Sequence, residues 1–155
     1  MMERIASFTV DHTKLRPGLY LSRVDGDVVT YDLRFKTPNT GNLLTNAQMH
    51  SAEHLFATLL RNSQHKDAVV YFGPMGCQTG FYLLVDGSKI NHQEVIWLLR
   101  QVCDQGSIFQ GEMPGKSEVE CGNYRNLDLD LARELCAYYG KLIANWTVEK
   151  LQYES

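Results

Sequence analysis

The sequence predicts an α+β fold, a mainly antiparallel sheet packed with helices in a single domain of 155 residues, and three observations carry it. Apolar and polar residues alternate from Val29 to Phe35, the period-two signature of a strand. Two further apolar runs, "AVVYF" (68–72) and "GFYLLV" (80–85), flank the compact connection "GPMGCQT". Three helical patterns are interspersed with these strands without a regular strand–helix–strand alternation, so the sheet reads as mainly antiparallel.

In chain order, the first strand is entered from the turn signal Asp25-Gly26-Asp27. It carries Val29, Tyr31, Leu33 and Phe35 on one face and Thr30, Asp32 and Arg34 on the other, which predicts a half-buried strand. Thr45 followed by Gln48 forms a capping box, so a helix begins near Asn46. Its core stripe is Ala52, Leu55, Phe56, Leu59 and Leu60, at the i, i+3, i+4, i+7, i+8 spacing. After the two short strands, Asn91 caps a second helix, with Glu94 three residues later and Gly106 just past its end. A last helix starts near Asp128 and runs beyond Tyr139, with Leu131, Leu135 and Tyr139 on one side.

Composition narrows the class. Hydrophobic residues at 44% and charged residues at 21% are an ordinary globular mix, and 155 residues suit one domain, 1–155. A net charge of −3 without a basic stripe gives no case for nucleic acid. No apolar run approaches the roughly 18 residues of a membrane span. The start, "MMERIASFTVDH", lacks the layout of a secretory signal, which points to the cytoplasm. The four cysteines, Cys77, Cys103, Cys121 and Cys136, form no C-x-x-C pair and read as free thiols or ligands. Cys103 and Cys136 fall on apolar helix faces and are assigned to the core.

The helix from Asn46 holds His50, Glu53 and His54. Four residues apart, the two imidazoles lie roughly 40° from each other, away from the centre of the apolar stripe. Such a pair can grip one metal ion, leaving the adjacent carboxylate free to move protons. The plain alternative is a solvated face with two histidines. A third ligand is needed, and two kinds compete. The H-x-x-E-H spacing is that of inverzincin metallopeptidases, which take a glutamate from another helix; Glu94, Glu112, Glu118, Glu120 and Glu134 are available. Cys121, in "EVECGNYRNLD", can instead supply a thiolate, or be no more than a small buried side chain. A His₂Cys set with an open fourth position suits catalysis, whereas structural zinc is usually closed by four protein ligands.

Four separated strings then resemble the S-ribosylhomocysteine lyase (LuxS) family: "ASFTVDHTKL" (6–15), "YDLRFKTPN" (31–39), "HSAEHLFATLLRN" (50–62) with "GPMGCQTGFY" (73–82), and "ECGNYRNLDLDLAR" (120–133). They occur in the family's order and spacing and cover most of the chain. The resemblance implies a homodimer with two metal sites near the subunit interface. It implies one divalent metal per chain, iron(II) with zinc or cobalt as substitutes, held by His50, His54 and Cys121. It implies Glu53 and Cys77 as acid/base residues, and Ser7, His12 and Arg34 around the substrate, S-ribosylhomocysteine. The implied reaction moves a carbonyl along the ribose and ends in β-elimination, giving homocysteine and 4,5-dihydroxy-2,3-pentanedione, the autoinducer-2 precursor. The alternatives are an inverzincin-type peptidase and a non-catalytic metal-binding relative.

Read as residues alone, Arg34 is equally a partner for Asp32, Ser7 a local backbone hydrogen bond, and His12 an exposed loop imidazole. The chain also departs from the family's common pattern. Ala52 stands in place of leucine and Gly73 in place of serine, while Tyr71 and Phe72 replace acidic or small apolar residues. The last three bear on the pocket around the homocysteine end of the substrate.

Overall fold

The computed structural model describes residues 2–154. The elements run α1 (Ala6–Thr9), β1 (Gly18–Asp25), β2 (Val28–Arg34), α2 (Asn46–Arg61), β3 (Val69–Pro74), β4 (Gly80–Asp86), α3 (His92–Ser107) and α4 (Leu129–Leu142). Short 3₁₀ turns lie at Lys66–Ala68, Tyr124–Asn126 and Val148–Leu151. The strands form one sheet in the order β1-β2-β4-β3, and every pairing is antiparallel. The α+β reading holds.

The register explains the core. Leu19, Leu33 and Phe81 lie opposite one another across three strands, and Leu21, Tyr31, Leu83 and Phe72 across four. This face packs against the apolar sides of α2, α3 and α4 in one cluster, where Phe35 stacks on Tyr139 and Phe56 on Phe72. The capping boxes expected at Thr45/Gln48 and Asn91/Glu94 are both formed. Asp128 caps α4 by accepting from the Asp130 N–H.

Three expectations are corrected. First, β1 was not anticipated: a bulge between Leu21 and Arg23 breaks its alternation, which hides the strand from a period-two search. Second, β2 is not half-buried. Thr30, Asp32 and Arg34 on its second face are all buried, because β2 is interior to the sheet and the chain's two ends fold across that face. Third, α3 does not stop before Gly106; it continues to Ser107, and Gly106 is buried.

Gly106 serves packing instead of termination. A Cβ there would stand 2.3 Å from the Cys136 sulfur, and one at Gly140 would stand 3.0 Å from the Cys103 Cβ. Each glycine thus receives a cysteine of the facing helix, so α3 and α4 cross closely. Both thiols are buried, as expected, and burial pushes the Cys136 thiol up to about 12. Gly106→Ala is therefore expected to lose about 1–3 kcal/mol from overpacking, although alanine is the better helix former. Cys136→Ala in the same chain should recover most of that loss. Denaturant melts of the two singles and the double check it; additive losses would sink the explanation.

The C-terminal stretch closes on β1. Tyr139 donates through its hydroxyl to Gly18 O at 2.9 Å, and Trp146 through its indole N–H to Leu19 O at 2.7 Å. A side chain at Gly18 would run into the Trp146 ring.

Candidate active site

Helix α2 presents His50 and His54 one turn apart, with ring centroids 4.6 Å from each other. Each ring is held by its Nδ1. The His54 Nδ1–H donates to Pro114 O at 2.9 Å, and the His50 Nδ1–H donates to Asn126 Oδ1. Asn126 is fixed in turn by donating to Asn46 Oδ1 at 2.7 Å. Because a carbonyl oxygen only accepts, both Nδ1 atoms carry the proton and both Nε2 lone pairs are free. Anchoring of this kind sets the tautomer of metal-ligating histidines.

The free atoms converge. Cys121 Sγ lies 3.3 Å from His50 Nε2, and one ligand atom from each of His50, His54 and Cys121 lies within 4.8 Å of the other two. Ligand atoms about 2.0–2.3 Å from one tetrahedral ion stand roughly 3.3–3.7 Å from each other, the separation of Cys121 Sγ from His50 Nε2. The Glu53 carboxylate stands 3.7 Å from His54 Nε2. Two imidazole lone pairs, a sulfur and a carboxylate form a nest of acceptors, whose mutual repulsion a cation relieves. Two imidazoles and a thiolate suit iron(II), cobalt or zinc. Glu112, Glu118, Glu120 and Glu134 are exposed and outside the cluster, and Glu94 is engaged in the α3 cap.

The loop supplying Pro114, Cys121 and Asn126 is shaped by Gly115. Its φ is +71°, and a Cβ there would lie 2.8 Å from His54 Nδ1. Only glycine meets both demands without strain.

Cys77 sits on the β3–β4 connection, exposed, with Sγ 3.0 Å from Thr79 Oγ1 and 3.9 Å from Arg34 Nη1. Arg34 itself is buried. Its Nε and Nη2 meet both oxygens of Asp32, at 3.1 and 2.6 Å, and its Nη1 donates to Thr79 at 2.8 Å. Burial opposes the guanidinium charge, but the Asp32 carboxylate beside it prevails and holds Arg34 above its ordinary range. Both readings left open for Arg34 thus meet: it pairs with Asp32 and turns its remaining edge toward Cys77. Gly76, just before Cys77, is open, whereas Gly80 is pressed against the Leu33 carbonyl by sheet packing.

This connection is tied to the start of α2. Leu44 N–H donates to Gln78 O, and the Gln78 amide donates back to Leu44 O, two residues before Asn46. Cys77 and Thr79 line a cavity of about 360 Å³ with His12, Pro38, Asn39 and Leu43. The His12 Nδ1–H donates to Val10 O at 2.9 Å, leaving its Nε2 free. Ser7 is not brought to this cavity. It lines a separate one of about 340 Å³, beside Ile5, Ser22 and Tyr82.

The unusual residues of β3 also find places. The Tyr71 ring lies over Gly73, where a Cβ would fall 2.2 Å from the hydroxyl, so the tyrosine and the glycine are one paired change. Phe72 points into the core and stacks on Phe56 and Phe81, so it does not reshape a pocket. Sequence reasoning missed Asn126, Pro114, Gly115 and Thr79. The signal available was "CGNYRN" and "MPG": polar and turn residues crowded around a candidate ligand.

Comparison with known proteins accords with this geometry. The S-Ribosylhomocysteinase (LuxS) family model matches residues 5–150. Relatives named S-ribosylhomocysteine lyase include one from Desulfotalea psychrophila, 46% identical over 99% of this chain and 100% of its own length. Others come from Borreliella burgdorferi and Clostridium acetobutylicum, 44% and 43% identical, each over 98% of this chain and 99% of its own. With a family model spanning nearly its whole length and relatives of this identity, the chain belongs to the S-ribosylhomocysteinase (LuxS) family.

Proposed function

We propose that this chain is a carbon–sulfur lyase that cleaves S-ribosylhomocysteine to homocysteine and 4,5-dihydroxy-2,3-pentanedione. One observation carries the reading: the convergence of His50 Nε2, His54 Nε2, Cys121 Sγ and the Glu53 carboxylate, with the Nδ1 of both histidines already engaged. His50, His54 and Cys121 would hold one divalent ion, iron(II) by family resemblance, with zinc or cobalt as substitutes. When bound, that ion supplies Lewis acidity to carbonyl and hydroxyl oxygens of the opened ribose.

The remaining chemistry falls to side chains. Shifting the carbonyl from carbon 1 to carbon 2 and then to carbon 3 needs protons removed from carbon and passed among oxygens. Glu53, at the edge of the ligand set, relays protons among the oxygens. Cys77 takes and returns protons at carbon, with the Arg34 guanidinium 3.9 Å from its sulfur. With the ketone at carbon 3, loss of the carbon 4 proton forms a carbon 4–carbon 5 double bond. The carbon 5–sulfur bond breaks and homocysteine leaves with the electron pair. His12, which lines the cavity with Cys77, is assigned to substrate contact; Ser7, in its separate cavity, would make that contact only across the proposed dimer interface.

The working unit is proposed to be a homodimer with sites beside the interface. Exposed apolar Ile5, Phe8 and Leu43 support this, since Ile5 and Leu43 border the cavities of Ser7 and Cys77. Four free thiols support a cytoplasmic setting, and no helix among the described residues is long and apolar enough to cross a membrane.

Thiol release from S-ribosylhomocysteine, measured anaerobically on protein reloaded with iron, tests the proposal; a folded, loaded protein that releases none overturns it. Glu53→Gln is nearly isosteric but cannot accept a proton. It is expected to keep the metal and lose about 10²- to 10⁴-fold in turnover. Wild-type turnover with metal bound would remove Glu53 from the acid–base scheme.

A further inference from the structure

We infer that Tyr153, near the C-terminus, is a positioning residue that tunes the reactivity of Cys77 through Asp32 and Arg34. The inference rests on the acid–base reading of Cys77 only where turnover is concerned. Tyr153 lies beyond residues 5–150 that the family model matches, so the motif resemblance did not point to it.

Four contacts form a continuous relay. The Tyr153 hydroxyl donates to Asp32 Oδ2 at 2.7 Å, and the same oxygen accepts from Arg34 Nη2 at 2.6 Å. Arg34 Nη1, on the opposite edge of the guanidinium, donates to Thr79 Oγ1 and stands 3.9 Å from Cys77 Sγ. Asp32 is 1% exposed and Arg34 3%, so water does little to screen or replace these contacts. Tyr153 is placed by its ring, which stacks on Tyr20 with centroids 5.0 Å apart, and Tyr20 is the cross-strand neighbour of Asp32. Burial, with the Asp32 charge adding to it, pushes the Tyr153 phenol well up, so it remains a donor at any physiological pH.

The sign follows from charge sharing. A hydrogen bond into Oδ2 draws off part of the negative charge that Asp32 would otherwise spend on Arg34. Without it, Asp32 neutralises the guanidinium more completely, and less positive potential reaches the sulfur. Other titratable groups around the relay are Tyr20 on β1, Tyr82 on β4 and His12 across the cavity.

The test is site-resolved alkylation by iodoacetamide across pH, reading the Cys77 peptide by mass spectrometry, alongside steady-state kinetics. In Tyr153→Phe, alkylation of Cys77 at neutral pH should fall about three- to tenfold, the size of one net hydrogen bond. Its profile should move to higher pH, and kcat should fall similarly with KM within about twofold. Tyr20→Phe is the control for a merely structural role. It removes a hydroxyl from the same stack, but one that donates to Arg16 O, and its profile should match wild type. A Tyr153→Phe profile superimposable on wild type overturns the relay. A shifted profile with unchanged kcat upholds the relay and overturns the acid–base reading, so the two failures are distinguishable.

Discussion

A Cys121→Ala protein is expected to lose its metal, with affinity falling by about 100-fold or more. The ligand set has three members, and the other two stand on one helix turn and cannot surround an ion by themselves. On the Cys121 loop, Glu118 and Glu120 are exposed and outside the cluster, so neither is poised to substitute. The fold should survive, because Cys121 is only partly buried and the core of α2 is built from Ala52, Leu55, Phe56 and Leu60. Elemental analysis after purification, with circular dichroism to confirm folding, decides it. Full metal at wild-type affinity would discard the His₂Cys assignment and bring back a glutamate ligand.

Cys77→Ala should show the complementary pattern: a normal metal content and no detectable thiol release. The sulfur is on a different segment from the ligands, stands beside Thr79 and Arg34, and opens onto the cavity shared with His12. Its removal deletes the group that handles protons at carbon while leaving Arg34 held by Asp32 and Thr79. Cys77→Asp supplies a base in the same place and is expected to retain part of the isomerisation, read by exchange of substrate carbon protons with solvent deuterium. Turnover of Cys77→Ala at the wild-type rate would require another acid–base residue and end the proposed mechanism.

Much of the site was legible in the sequence because its parts are local. His50, Glu53 and His54 obey helix periodicity, and the Thr45/Gln48 box sets the phase of that helix. The joining of Cys121 to them was carried by resemblance, since 71 residues of chain separate it from His50. What remained hidden was hidden for physical reasons. Asp32 and Arg34 alternate with apolar neighbours as surface residues do, and nothing local says that the chain's ends will cover them. Gly106 sits where a helix-ending glycine would; only the facing Cys136 reveals its function. The β1 bulge likewise costs the strand its periodic signature.

The closure of the C-terminal stretch over β1 also sets an order in time. The edge strand leaves the ribosome early, yet two donors that fasten its carbonyls, on Tyr139 and Trp146, follow 121 and 127 positions later. At about 5–20 residues per second, that interval lasts roughly 6–25 s. Through it, the carbonyls of Gly18 and Leu19 lack these two donors, on an edge strand of the kind that invites pairing with another nascent chain. The first strand in chain order is thus paired with β2 early but fastened by Tyr139 and Trp146 late.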